Sequence, residues 1–223
     1  MKAKLLKWPA VIFALFHVYN NWFTAVSELW FAAIHFGGFG VLCALTFHKP
    51  EQGSQQHMLR VLLDIMLAVL SIGIVAYLIL FEDALYAREA EFILADYLFA
   101  GAAIVLAIEF TRRTSGWFMP ILIVISLLYI LFLGRYVPGV FTFPGLSLET
   151  VLYRSYWSEN GMFGMVANIS STFVFMFILF GSFLLKSGVG EFIVRIASSI
   201  AGRFQVGAGH VAVVGSGLMG SIS

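Results

Sequence analysis

Long apolar runs alternate with short polar stretches along the chain, and their length is the first structural signal. A helix needs about 20 mostly apolar residues to cross the roughly 30 Å hydrocarbon layer of a membrane. The pattern predicts transmembrane helices over Trp8–Phe23, Leu29–Phe47, Leu59–Leu80, Phe92–Phe110, Trp117–Tyr136 and Met162–Leu185. The first run is short and polar, with His17, Asn20 and Asn21. Lysines precede it, as in a signal peptide, but no small-x-small cleavage site follows, which favours an uncleaved span.

The segment after the sixth run has a different pattern. In "SGVGEFIVRIASSIAGRF", two sets of residues recur at helical spacing on opposite faces. The apolar set is Val189, Phe192, Ile193, Ile196 and Ile200, and the polar set is Glu191, Arg195, Ser199 and Arg203. A helix of this kind lies in the plane of the membrane interface, and its arginines place it on the cytoplasmic side. We predict an interfacial amphipathic helix here.

The chain then reaches "GHVAVVGSGLMGSIS", an apolar stretch rich in Gly and Ser. Residues 210–223 are too few to span a bilayer, and each interior glycine weakens a helix by roughly 1 kcal/mol relative to alanine. In one hypothesis, Gly215, Gly217 and Gly220 are small-residue contacts between packed helices. In the other, the stretch enters a re-entrant hairpin whose unwound tip coordinates a cation or substrate. The residues by themselves leave both hypotheses open.

Composition supports a membrane protein and excludes several other classes. Of the 223 residues, 61% are hydrophobic and 11% are charged, with a mean hydropathy of +0.94. An average soluble domain has about 25% charged residues. The net charge of +1 offers no basic face for nucleic acid. The single cysteine, Cys43, excludes disulfides within the chain and thiolate metal clusters.

The distribution of basic residues predicts the orientation, because Lys and Arg accumulate in cytoplasmic loops. With a cytoplasmic N-terminus, the predicted outside loops hold only Arg88, Arg135 and Arg154. The predicted inside segments hold Lys2, Lys4, Lys7, Lys49, Arg60, Arg112, Arg113, Lys186, Arg195 and Arg203. Near the ends of spans, Asp64 follows Arg60 by one turn and Glu109 precedes Arg112, which is typical of ion pairs at helix ends.

The last quarter of the chain, about fifty residues, resembles a known family. The run "STFVFMFILFGSFLLKSGVGEFIVRIASSIAGRFQVGAGHVAVVGSGLMGSIS" is similar to the large membrane subunit of the tripartite ATP-independent periplasmic (TRAP) transporters. Both have an apolar helix ending in F-G-x-x-L-x-K-S-G, an amphipathic A-G-R helix and a Gly-rich run that reaches G-S-I-S. The upstream spans resemble the small subunit, fused to the large one as in permeases that work with TAXI-type binding proteins.

This resemblance implies a domain organisation and a site. Residues 1–114 would form a small-subunit-like scaffold of four helices, and residues 115–223 a linking helix and the start of the transport region. In the family the Gly-Ser run forms the first re-entrant hairpin of an elevator-type transport domain. The implied cation and substrate residues are Gly220, Ser221 and Ser223, together with Ser216 and Gly217. Because the family continues through many further helices, we expect this chain to be an N-terminal portion that does not transport alone.

The resemblance also implies a function. A periplasmic binding protein of the TAXI type would deliver a small organic anion, and the permease would import it with sodium or protons. Hydroxyl and carbonyl oxygens suit a hard cation such as sodium. The chain would lie among the lipids of a bacterial or archaeal cytoplasmic membrane. We expect no enzymatic activity, no cofactor beyond the coupling ion and no nucleic-acid partner. No Walker A pattern is present, which fits coupling to an ion gradient.

Two alternatives remain open at this stage. His17 and His35 lie on neighbouring predicted spans, and imidazole is a usual axial ligand of haem iron. This arrangement would define a membrane redox anchor, although satisfied or interfacial histidines explain the same residues. The other alternative is an inert structural membrane subunit.

Overall fold

A computed structural model of the chain describes residues 2–46, 55–88, 91–201 and 207–220, and every regular element in these ranges is helical. The α-helices are α1 (Lys2–Phe23), α2 (Glu28–Thr46), α3 (Gln55–Leu80), α4 (Glu82–Arg88), α5 (Leu94–Ser115), α6 (Phe118–Leu131), α7 (Leu148–Tyr156), α8 (Met165–Ile169), α9 (Phe175–Lys186), α10 (Val189–Ala201) and α11 (Gly207–Gly220). Short 3₁₀ turns cover Leu133–Tyr136 and Gly139–Phe141, and a π-helical turn over Ser170–Val174 joins α8 to α9.

The prediction of an all-α polytopic membrane protein is confirmed. Within the described residues, four helical stretches are long and apolar enough to cross a membrane: Glu28–Thr46, Met58–Leu80, Leu94–Ser115 and Met165–Lys186. They correspond to the second, third, fourth and sixth predicted spans. The first predicted span is part of α1, which is not among the four. The polar side chains near its C-terminal end and the lysines at its start lower its hydropathy.

The fifth predicted span, Trp117–Tyr136, is wrong in its extent. Helix α6 has 14 residues and ends at Leu131, so it is about 21 Å long at 1.5 Å per residue. The chain then reverses its direction: the backbone N–H of Leu146 donates to the carbonyl of Ile130 at 3.0 Å. Gly134 permits this reversal, because a Cβ atom there would lie 2.8 Å from that of Phe143.

The described residues form two compact units, residues 1–171 and residues 172–223. In the first unit the core lies between α2, α3, α5 and α7, and its fully buried members include Ile74, Leu78, Leu106 and Tyr156. Helices α2 and α3 approach closely at Gly37, where a Cβ atom would lie 2.4 Å from a methyl group of Val75. This unit division does not test the predicted domain boundary at residue 114, which stays a prediction.

The second unit contains α9, α10 and α11. The predicted amphipathic helix is confirmed as α10: Ile193 and Ala197 are buried, while Glu191 and Arg195 are about 80% exposed and form an i,i+4 pair at 3.8 Å. The buried side of α10 packs against α11. Its placement in the plane of the membrane interface stays a prediction.

Candidate functional site

The Gly-Ser run is helical as far as the structure describes it. Helix α11 includes three of the predicted site residues, Ser216, Gly217 and Gly220, while Ser221 and Ser223 lie outside the described residues. The exposed hydroxyl of Ser216 donates to the carbonyl of Val213 at 3.0 Å. A hydroxyl that donates in this way still has lone pairs with which to accept a hydrogen bond or contact a cation.

The glycines of α11 do not share one environment. Gly215 is buried, and a Cβ atom there would lie 3.9 Å from the Cβ atom of Ala197 on α10. Gly217 and Gly220 are exposed, and a Cβ atom at either would meet no atom of the described residues within 4 Å. Packing between helices therefore explains Gly215 in the described part of the chain. It does not explain Gly217 and Gly220, which are the glycines that the family resemblance assigns to the site.

The two histidines that suggested a haem site are hydrogen-bonded directly to each other. Nε2 of His17 lies 2.9 Å from Nδ1 of His35, and the other nitrogen of His35 lies 3.2 Å from the hydroxyl oxygen of Ser170. Axial ligands of a haem must stand on opposite sides of a macrocycle with the iron between them. A direct hydrogen bond between these nitrogens leaves no space for an iron. The geometry therefore favours satisfied histidines over the haem hypothesis.

The acceptor at one end of this chain of hydrogen bonds fixes the tautomers. Nδ1 of His17 lies 2.9 Å from the carbonyl oxygen of Phe13, which can only accept, so this nitrogen carries the proton. With both rings neutral, Nε2 of His17 then accepts from Nδ1–H of His35. Nε2 of His35 in turn accepts from the hydroxyl of Ser170. One backbone carbonyl thus orients a polar chain that joins α1, α2 and the π-helical turn.

The π-helical turn makes a further contact with α1. The side-chain amide of Asn21 donates to the backbone carbonyls of His17, at 2.8 Å, and of Ser171, at 3.3 Å. Turns of this type leave the usual i→i−4 bonding pattern and are frequent at functional sites. Here the carbonyl of Ser171 is bonded by a side chain from another helix. The sequence contained a signal for this contact in the polar residues of its first apolar run.

A buried carboxylate joins α3, α4 and α5. Asp96 has no exposed surface and accepts from the Tyr77 hydroxyl at 2.6 Å, from the Arg88 guanidinium at 2.9 and 3.1 Å, and from the Ile93 backbone N–H at 2.9 Å. The hydrogen bonds that Arg88 donates to Asp96 raise the pKa of the Arg88 guanidinium above its ordinary value. Nearby, burial raises the pKa of the Tyr156 phenol. The cluster is fully hydrogen-bonded at the carboxylate, which indicates a structural connection between three helices.

A second charged cluster lies at the other end of α5. Arg113 donates to Asp64 of α3 at 2.7 Å and to Glu109 at 2.8 Å. Arg112 also donates to Glu109, at 2.7 Å, and lies over the ring of Trp117. The predicted pair of Glu109 with Arg112 is present. The connection from Asp64 to Arg113 spans two helices, so spacing within one helix could not reveal it.

The crevice between α1, α2 and α3 offers no polar site. An apolar crevice of about 240 Å³ lies between α1, α2 and α3, and its lining includes Phe13, Gly38 and Val75. It presents no charged side chain that could hold an anion. Among the residues that the structure describes, no group of three or more His, Cys, Asp or Glu side chains is arranged to hold a metal ion.

These helices and their polar connections define a multi-pass helical membrane protein, and the comparison with protein families identifies its class as a transporter. Residues 102–223 match the DctM component of the tripartite ATP-independent periplasmic transporters. The match covers more than half of the 223 residues, so the chain belongs to this family. It begins inside α5 and includes α11. No curated protein and no solved structure matches the chain.

Membership in this family has several direct consequences. The chain is a membrane component of a TRAP secondary transporter, and this family is one of transporters and not of enzymes. The family works with a periplasmic binding protein, which is therefore the implied partner. The resemblance inferred from the closing motif is confirmed at this level.

Proposed function

We propose that this chain supplies a membrane scaffold and part of the transport region of a permease that imports a small organic anion. Sodium, or alternatively protons, would provide the coupling gradient, and a periplasmic binding protein of the TAXI type would deliver the anion. The observation that carries this proposal is the family match over residues 102–223, which includes the whole Gly-Ser run.

The described part of α11 supports a role for the Gly-Ser run beyond helix packing. Gly217 and Gly220 lie at exposed positions, where no atom of the described residues is close enough to require a glycine. Ser216 presents its hydroxyl on the exposed surface as well. Small residues allow a ligand to approach the backbone closely, and oxygen atoms are the ligands that sodium-like cations prefer. The proposed site therefore comprises Ser216, Gly217, Gly220, Ser221 and Ser223.

Uptake by proteoliposomes tests this function. The full-length gene product is reconstituted with its candidate binding protein, and accumulation of radiolabelled organic anions is measured with and without a sodium gradient. Ser221→Ala and Ser223→Ala are compared with the wild type and with Ser198→Ala. Ser198 is a matched control because its exposed hydroxyl donates to the carbonyl of Val194 on α10, outside the proposed site.

We expect uptake that requires the binding protein and the gradient and that falls in both site variants but not in Ser198→Ala. Robust uptake in both site variants would show that these serines only pack, while the family assignment would stand. Absence of uptake under every ion gradient with a functional binding protein would overturn the proposed function itself.

A further inference from the structure

An apolar projection follows α6 and lies outside the Gly-Ser run that carries the proposed site. We call residues 132–143 the finger. The finger carries some of the most exposed apolar side chains in the described part of the chain, with exposed fractions of 78% at Tyr136, 95% at Val140 and 67% at Phe141. Exposed apolar groups of this size mark a surface that contacts lipid or another molecule.

Several polar groups of the finger bond to one another or to α6. The N–H of Phe143 donates to the Gly134 carbonyl at 2.9 Å, and the N–H of Thr142 donates to the Gly139 carbonyl at 3.0 Å. The Thr142 hydroxyl lies 2.8 Å from the carbonyls of Val137 and Gly139. The Tyr129 hydroxyl of α6 donates to the Phe141 carbonyl. A non-helical segment in a water-poor environment must satisfy its backbone internally. A loop in open water has no such requirement.

The length of α6 places the finger close to a membrane surface. At about 21 Å, α6 covers roughly two thirds of a 30 Å hydrocarbon layer. Its own apolar side chains are exposed along its length, for example Ile121, Ile125 and Leu128. The finger begins where this exposed apolar surface ends. If α6 lies in the bilayer, the finger fills the depth that this short helix does not cover.

The single charged residue of the finger fits that depth. Arg135 is exposed and donates to the carbonyl of Leu131, at the C-terminal end of α6, at 3.3 Å. A guanidinium at a helix C-terminus is stabilised by the helix dipole. Arginine also reaches readily toward lipid phosphates while its methylene groups remain in apolar surroundings. Tyrosine, which is present at position 136, is enriched at the same membrane level.

We infer that the finger inserts into the lipid interface beyond the C-terminal end of α6 and anchors the first unit there. Its partner is the lipid bilayer. Val140 and Phe141 contact the upper acyl chains, and Arg135 and Tyr136 face the headgroups. This contact completes the passage of α6 through the bilayer without a full-length helix. It does not depend on the transported substrate or the coupling ion.

Fluorescence quenching in lipid nanodiscs tests this inference. Single cysteines are introduced into the full-length protein in a Cys43→Ala background and labelled with a polarity-sensitive fluorophore. Val140→Cys and Phe141→Cys report on the finger. Ile125→Cys, in the middle of α6, is the lipid reference, and Glu91→Cys, at an exposed position between α4 and α5, is the water reference. Quenching is measured with iodide in the buffer and with lipids brominated high on the acyl chain.

We expect labels at both finger positions to emit at blue-shifted wavelengths, as the label at Ile125→Cys does. Iodide should quench them less than it quenches the label at Glu91→Cys, and the brominated lipid should quench them strongly. Iodide quenching equal to that of Glu91→Cys would place the finger in water and overturn the inference. Protection from both quenchers would mean that protein covers the finger, which also overturns it. Because fluorescence emission and quenching are measured without transport, the result is independent of the uptake experiment.

Discussion

Nε2 of His17 and Nδ1 of His35 lie 2.9 Å apart and connect α1 with α2 inside the first unit. His17 is completely buried among aromatic rings, which include those of Phe13 and Phe31. Burial of a polar ring is tolerated because both of its nitrogens have partners. The contact gives α1 a specific attachment that its hydropathy alone does not provide.

Replacement of His35 by leucine should destabilise this attachment. His35→Leu leaves Nε2 of His17 and the hydroxyl of Ser170 without these hydrogen bonds, and an unpaired buried group costs about 1–3 kcal/mol. We expect a lower midpoint of thermal unfolding in detergent. The double variant His17→Leu/His35→Leu should lose less than the sum of the two single variants. Strict additivity would contradict the proposed hydrogen bond.

Neutralisation of Asp96 should loosen the connection of α3, α4 and α5. Asp96→Asn removes the charge that faces Arg88 and replaces one carboxylate oxygen, which accepts two hydrogen bonds, by an amide group that cannot accept them; an unsatisfied buried group costs about 1–3 kcal/mol. The midpoint of thermal unfolding reports this loss. Asp83→Asn is the matched control, because Asp83 lies exposed on the adjacent α4. Equal midpoints for the two variants would show that the buried cluster adds no stability.

The two adjacent arginines of α5 should differ in their contribution to stability. Arg113→Gln removes the cation between Asp64 and Glu109 at a position where its side chain is 13% exposed, and loss of one partner of a buried pair costs about 3 kcal/mol. Arg112→Gln removes a bond at a position 36% exposed, where ion pairs contribute about 0–1 kcal/mol. Chemical denaturation in mixed micelles compares the variants. A larger effect of Arg112→Gln would refute this assignment.

Substitutions at the glycines of α11 should separate packing from site function. Gly215→Leu overpacks the contact with Ala197 and should destabilise the protein by about 1–3 kcal/mol. The methyl group added by Gly217→Ala meets no atom of the described residues within 4 Å, so this change should stabilise the helix by up to about 1 kcal/mol. If Gly217 belongs to the proposed site, Gly217→Ala should still reduce uptake in the proteoliposome assay. Stability is measured by thermal unfolding of the same preparations, and full uptake by Gly217→Ala would remove Gly217 from the site.

The pattern of apolar runs predicts the class of the protein and most of its spans. Apolar runs of sufficient length must form helices in a membrane, because lipid offers no partner for backbone N–H and C=O groups. The amphipathic pattern of α10 is equally local, since it depends on spacing along one helix. The closing motif indicated the TRAP family, and the match over residues 102–223 confirms it.

The contacts between the helices and the end of α6 depend on how distant parts of the chain pack. The hydrogen bond between His17 and His35 and the ion pair between Asp64 and Arg113 join residues from different helices, so no periodicity within one helix predicts them. The end of α6 depends on bonds that the following segment returns to it, such as that from Leu146 to Ile130. Such contacts arise when distant parts of the chain pack together, whereas hydropathy depends only on neighbouring residues.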